Sequence, residues 1–189
     1  HHYIELAVFF QSPLLRFVID GDNYEPNQET IIGIIRDALP LLEKHELTLG
    51  IENHDRFKAS ELASIMETLA HKRVGICLDC VNSLGAGEGL DWVSDVLVPH
   101  TVNLHIKDFR IQRPSHKMGF LVTGAPAGTG MINIPLLLQK LSRYNRCKSA
   151  VLEQWIEPEN KIEDTVRKEE EWAKAGIKYL MQLPQFKHN

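Results

Sequence analysis

The chain has 189 residues, 43% of them hydrophobic and 24% charged, with 21 Lys and Arg against 25 Asp and Glu. A chain of this length and composition forms one globular domain and buries roughly 70% of its unfolded surface, so its core needs neither disulfides nor a structural metal. A net charge of −4 and a pI near 6.1 exclude the basic stripe of a nucleic-acid binder, and no apolar run reaches the ~20 residues of a membrane span. Cysteines 77, 80 and 147 are odd in number and make no disulfide framework, which points to a reducing, cytoplasmic setting.

His1 and His2 precede an apolar stretch, Tyr3 to Phe10, without an initiator Met or the layout of a signal peptide. Residues 1–13 read as a helix or a tag-derived edge. Five short apolar runs then alternate with segments of helical period, the signature of βα units and a parallel sheet. The strands are expected at Leu14 to Asp20, Leu47 to Asn53, Val74 to Cys80, Thr101 to Lys107 and Ser149 to Gln154. Helices are expected at Glu29 to His45, Ser60 to Ala70 with Ser60 as its start signal, Asp91 to Leu97, Ile134 to Tyr144 with Pro135 in its first turn, and Asp164 to Met181. The connection 109–133 carries four glycines, and so long a connection in a compact domain reads as an active-site loop.

The last four strands end in Glu52, Asp79, His105 and Glu153, spaced by 27, 26 and 48 residues. Parallel strands present their carboxyl ends on one face, so these side chains converge. Each acid follows an apolar run and is expected to be part-buried, where an unpaired carboxylate costs several kcal/mol. A shared divalent ion, Mn2+ or Mg2+ with Co2+ or Zn2+ as alternates, answers that need with three oxygens and one nitrogen. Cys77 and Cys80 form a C-x-x-C, but it lies on a strand with the two side chains on opposite faces, and reads as structural thiols. Gly85 to Gly89 lacks the Lys-Ser/Thr of a phosphate loop and reads as flexible active-site backbone. His54, two residues past Glu52, is a candidate for substrate contact.

The runs Leu49-Gly50-Ile51-Glu52-Asn53-His54-Asp55, Gly75-Ile76-Cys77-Leu78-Asp79-Cys80-Val81-Asn82, Asn103-Leu104-His105-Ile106-Lys107-Asp108 and Leu152-Glu153-Gln154-Trp155 resemble the sugar phosphate isomerase/epimerase group. This is the xylose isomerase-like TIM barrel superfamily, which includes ketose 3-epimerases and inosose dehydratase. The resemblance implies an α/β fold, a (β/α)8 barrel, with one divalent ion held by Glu52, Asp79, His105 and Glu153. It also implies that the two glutamates act on the substrate. Asn82 departs from the pattern, because ketose 3-epimerases carry a His there. The same departure argues against the endonuclease IV branch, whose three-zinc cluster needs that ligand.

A full barrel takes about 250 residues, and five strands correspond to its last five. The expectation is one partial barrel domain, completed by a preceding segment or by a second copy in a homo-oligomer. The expected reaction is isomerisation or epimerisation of a small sugar, sugar phosphate or polyol derivative through a metal-stabilised enediolate. Glu52 and Glu153 serve as proton carriers. Lys107 or His54 is expected on a substrate oxygen and Trp155 as an apolar wall, while Glu88, Arg110, Arg113 and His116 reach over the same face. Dehydration on the same scaffold and a non-catalytic incomplete barrel are the rival readings. No nucleic-acid or membrane partner is expected.

Overall fold

The computed structural model describes residues 1–21 and 23–187. Helix α1 (His2–Phe9) leads into strand β1 (Leu14–Phe17), α2 (Gln28–Lys44), β2 (Thr48–Glu52), α3 (Ala59–Leu69), β3 (Val74–Asp79), α4 (Leu90–Leu97) and β4 (Thr101–Ile106). The chain then forms β5 (Phe109–Gln112), β6 (Leu121–Gly124), α5 (Ile134–Ser142), β7 (Ser149–Leu152) and α6 (Ile162–Leu180). Five strands make one parallel sheet in the order β1-β2-β3-β4-β7. No described helix is long and apolar enough to cross a membrane.

Alternation along the strands sorts residues by face. Ile51, Ile76, Leu78, Leu104 and Ile106 lie on the outer face and share one buried core with Ile31, Ile35, Leu62, Ile65 and Leu97 of the helices. The inner face carries small or polar residues: Gly50, Gly75, Cys77 and Asn103, then Glu52, Asp79 and His105. Gly75 is required there. The register slips between Ile76 and Cys77, and a Cβ on Gly75 would meet Val102 Cγ1 at 2.3 Å and the His100 carbonyl at 2.7 Å.

Several boundaries differ from expectation for identifiable reasons. Strand β1 stops at Phe17, short of Asp20, because the chain turns through a bridge between Gly21 and Tyr24. Strand β7 stops at Leu152, although the Glu153 amide still donates to the Ile106 carbonyl at 3.0 Å and so stays in line. Helix α3 starts at Ala59 rather than at a Ser60 cap. Its first amides are met by carboxylates, with Lys58 N donating to Glu61 Oε2 at 2.9 Å and Ala59 N to Glu88 Oε2 at 2.8 Å.

The connection 109–133, expected as a strandless loop, contains the antiparallel pair β5–β6. Its signal is weak in sequence because each strand has four residues and most of β5 is exposed. Gly124 lets this hairpin lie against the chain after β7, where a Cβ would overlap the Trp155 carbonyl oxygen at 1.7 Å. The rest of the connection is pinned by buried Asp108. Its carboxylate accepts from the amides of Phe109 (2.9 Å), Gly128 (3.0 Å), Gly130 (2.9 Å) and Ile132 (3.2 Å).

Asp108→Ala leaves those donors without an acceptor, at about 1–3 kcal/mol for each one that water cannot reach. The expected loss is about 3 kcal/mol, a fall of roughly 6–12 °C in Tm for a chain of this size. Thermal unfolding followed by circular dichroism measures it, and a fall under about 2 °C would show that Asp108 does not anchor the connection.

Candidate metal centre

Strands β2, β3 and β4 end at Glu52, Asp79 and His105–Ile106, and Glu153 follows β7, so one side chain from each strand reaches the same volume. Ligand atoms of Glu52, Asp79, His105 and Glu153 all lie within 4.8 Å of one another. His105 Nδ1 is 2.9 Å from Glu153 Oε2 and 3.6 Å from Glu52 Oε1. Separations near 3 Å are the edges of a coordination shell with bonds of about 2.0–2.2 Å. The set also passes a test of fit: Glu52 Oε2, Asp79 Oδ2 and His105 Nδ1 are buried and lack a well-directed hydrogen bond. Buried polar atoms of this kind, in residues whose ligand atoms lie within 4.8 Å of one another, are what a divalent ion satisfies.

Each ligand is held from behind. Asp79 Oδ1 accepts from the amides of Val81 (2.7 Å) and Asn82 (2.8 Å), which leaves Oδ2 facing the cluster. Buried Asn53 ties β2 to β3, accepting from the Asp79 amide at 2.7 Å and donating to the Asp79 carbonyl at 3.1 Å. Glu52 Oε1 accepts from Asn82 Nδ2 at 3.2 Å, and its Oε2 contacts the Arg16 guanidinium. Lys107 Nζ sits 3.1 Å from Asp79 Oδ2 and 2.7 Å from Glu153 Oε1.

The ionisation states follow from these contacts. Burial disfavours the Lys107 ammonium, yet the hydrogen bonds and charges of Glu153 and Asp79 outweigh it and raise its pKa. Burial disfavours the Glu153 carboxylate too, but Lys107 and His105 overcome that and hold its pKa below the ordinary range. The His105 ring is pushed up, chiefly by its hydrogen bond to the Cys77 thiol, against burial and with help from the Glu153 and Asp79 charges.

The expected site residues separate into two groups. Asn82 and Lys107 touch the ligands, and His54 Nε2 lies 3.8 Å from Glu52 Oε1. A cavity of about 460 Å³ opens beside them, lined by Val81, Asn82, Leu84, Lys107, Val122 and Trp155 among others. The remaining residues are engaged elsewhere. Glu88 bonds the start of α3 and Trp92 Nε1 (3.2 Å), and Arg110 bonds the Thr129 carbonyl (3.1 Å). Arg113 bonds the Lys117 carbonyl (3.1 Å), and exposed His116 accepts from the Met118 amide (3.2 Å). Sequence reasoning missed Arg16 and Asn53; the signal for Arg16 was a charged residue within an apolar strand, Leu14 to Phe17.

Two outcomes are expected. Asp79→Asn weakens Mn2+ binding about 100-fold or more, measured by calorimetry, because a buried first-contact oxygen loses its charge. An ion must also displace the proton that His105 holds more tightly than an ordinary imidazole, whose pKa is about 6.5. Affinity therefore falls as pH is lowered from 8 to 6, beginning above 6.5; a Kd constant over that range would remove His105 from the ligand set.

The family model described as xylose isomerase-like TIM barrel matches residues 2–183. A curated relative, 3-oxo-isoapionate decarboxylase of Pectobacterium atrosepticum, is 28% identical over 178 residues, which are 94% of this chain and 65% of that protein. A xylose isomerase domain protein from Planctomyces limnophilus aligns with a TM-score of 0.71 at 17% identity, over 95% of this chain and 62% of that one. A xylose isomerase-like TIM barrel protein from Mycobacterium smegmatis, solved in complex with magnesium, aligns with a TM-score of 0.67 at 12% identity, over 91% and 63%. The chain thus spans a little under two thirds of the length of these proteins. The five-strand parallel sheet, the acidic and imidazole side chains at its carboxyl edge and the family match across residues 2–183 lead to one conclusion: this chain belongs to the xylose isomerase-like TIM barrels.

Proposed function

We propose that this chain carries the centre of a divalent-metal-dependent isomerase or epimerase acting on a small sugar, sugar phosphate or polyol derivative. The observation that supports the reading is the meeting of Glu52, Asp79, His105 and Glu153 within 4.8 Å, with the Lys107 ammonium against two of them and a cavity alongside. A divalent ion held by those four residues supplies electrostatic stabilisation for negative charge on substrate oxygens. Glu153 is the proton carrier. Its side chain is 36% exposed against 3% for Glu52, and its depressed pKa keeps it ionised and able to accept.

Glu153 removes a proton from the carbon next to the substrate carbonyl, and the resulting enediolate oxygen is met by the Lys107 ammonium. Return of that proton to the neighbouring carbon completes isomerisation. Epimerisation instead leaves that proton on Glu153 and takes a second one, delivered to the opposite face by Glu52 in its protonated form, which inverts the original carbon. Asn82 orients a substrate hydroxyl, His54 lies at the rim, and Val81, Leu84, Val122 and Trp155 keep water from the reacting carbons.

A second reading is favoured by Arg16. Three carboxylates face two fixed cations, Arg16 and Lys107, which leaves one net negative charge; a bound divalent ion turns this into one net positive charge. An anionic substrate group balances it. Decarboxylation of a 3-oxo sugar acid fits that charge, and the curated relative's name carries the same chemistry. There the C–C bond breaks, carbon dioxide leaves, the electron pair enters the enolate, and the carbon then takes up one proton from water, relayed through the half-exposed Glu153 carboxylate.

One experiment separates the readings. The Mn2+-loaded chain is incubated in D2O with keto sugars, their phosphates and 3-oxo sugar acids, and products are weighed by mass spectrometry. Carbon-bound deuterium without loss of mass is the result expected for isomerisation or epimerisation, loss of carbon dioxide marks the second reading, and loss of water marks dehydration. Glu153→Gln is expected to slow the reaction about 10²–10⁴-fold. No product or deuterium with any compound would count against both readings.

A further inference from the structure

Directly below the ligand cluster, the inner face of the sheet carries a row of neutral polar side chains that this chemistry does not use. Cys77 on β3 is the register partner of Asn103 on β4, and Asn103 is the partner of Ser149 on β7. Cys77 Sγ lies 3.8 Å from His105 Nε2 and 3.1 Å from Asn103 Oδ1. Asn103 Nδ2 lies 2.8 Å from Ser149 Oγ and 3.2 Å from the Ser149 carbonyl oxygen.

These contacts admit one self-consistent placement of protons. A backbone carbonyl only accepts, so the amide nitrogen of Asn103 faces Ser149 and its carbonyl oxygen faces Cys77. That oxygen also only accepts, so the thiol hydrogen points to Asn103. The sulfur lone pair is then free to accept, and the group facing it is His105 Nε2, which carries a proton. Nδ1 faces Glu153 Oε2 (2.9 Å) and Glu52 Oε1 (3.6 Å), which only accept, so it is the Nδ1 proton that a bound ion replaces, leaving Nδ1 as the ligating lone pair and Nε2–H on the sulfur.

We infer that the row Cys77–Asn103–Ser149 positions His105 for metal binding, fixing its ring and the Nδ1-free tautomer through a chain anchored on the Ser149 carbonyl. A ligating histidine generally gives its second N–H to an oxygen that orients it; here a fully buried thiol takes that role. Cys77 is thereby a positioning residue, and its conversion to an apolar side chain loosens the metal site without touching the ion. The inference rests on the metal reading of the four ligands.

The test is Mn2+ affinity, by calorimetry, of the wild-type chain, Cys77→Ala, Cys77→Ser, Asn103→Leu and the Cys77→Ala, Asn103→Leu double variant, each first checked for folding by circular dichroism. Cys77→Ala and Asn103→Leu are expected to weaken binding about 10–100-fold each. Cys77→Ser keeps a donor and an acceptor on a shorter side chain and falls between wild type and Cys77→Ala. The double variant loses no more than the worse single one, because either change breaks the same chain. Nitrogen-15 NMR of the Zn2+-loaded wild-type chain, which needs no variant to fold, is expected to show a protonated Nε2 and a metal-bound Nδ1 in His105. Unchanged affinity in Cys77→Ala, additive losses in the double variant, or metal on Nε2 overturns the inference. A wild-type chain that binds neither Mn2+ nor Zn2+ overturns instead the metal reading beneath it, and the two failures are told apart by that one sample.

Discussion

Parallel strands that end together force the carboxylates of Glu52, Asp79 and Glu153 into one volume with His105, where ligand atoms lie within 4.8 Å. At an effective dielectric of about 20, two unit charges ~4 Å apart repel by about 4 kcal/mol. Two of these acids are almost fully buried, so solvent screens them little. Much of the surrounding structure offsets that repulsion. Lys107 stands between Asp79 and Glu153, Arg16 meets Glu52 from the neighbouring strand, and two backbone amides hold Asp79 Oδ1. One ligand atom from each of the four residues still lies within 4.8 Å of the others, an arrangement that suits a divalent cation.

The sheet can hold such a cluster because its two faces differ. Outward residues are large and aliphatic and carry the core, while inward residues are small or polar and leave room for side chains from several strands to meet. The same division places a neutral hydrogen-bonded row, Cys77, Asn103 and Ser149, beneath a charged layer. Charge thus sits at the open carboxyl edge and neutral polar groups sit deeper, the order that desolvation favours.

Isomerisation, epimerisation and decarboxylation differ in which bond to carbon breaks, yet each deposits an electron pair on the same oxygens. A site that stabilises an enediolate supports any of them, and the choice falls to groups around the ligands. Asn82 bonds both Glu52 and Lys107, so it ties the buried glutamate to a cation that faces the cavity. Arg16 adds a positive charge on the β1 side. Trp155 and Val122, brought together by the packing of the hairpin against the chain after β7, form the apolar wall opposite.

Much of this was legible in the amino-acid order. Short apolar runs marked all five sheet strands, and Glu52, Asp79, His105, Glu153 and Lys107 stood at or just past their ends, because strand-forming runs are local properties of the chain. The β5–β6 hairpin was not legible, since two four-residue strands, one of them mostly exposed, are too short to show a hydrophobic period. Nor were the partners of individual side chains. Glu88 sits in a loop near the site in sequence and bonds the start of α3 in space, and Arg110 turns to Thr129. Arg16 looked like any charge in an edge strand until register set it beside Gly50 and within reach of Glu52. Cys77 read as an inert thiol until the same register put it between His105 and Asn103. The sequence by itself determined the order of the sheet strands and which face each residue occupies; cross-strand register and loop packing, which depend on contacts between residues far apart in the chain, decided where β1 and β7 stop and which side chains touch.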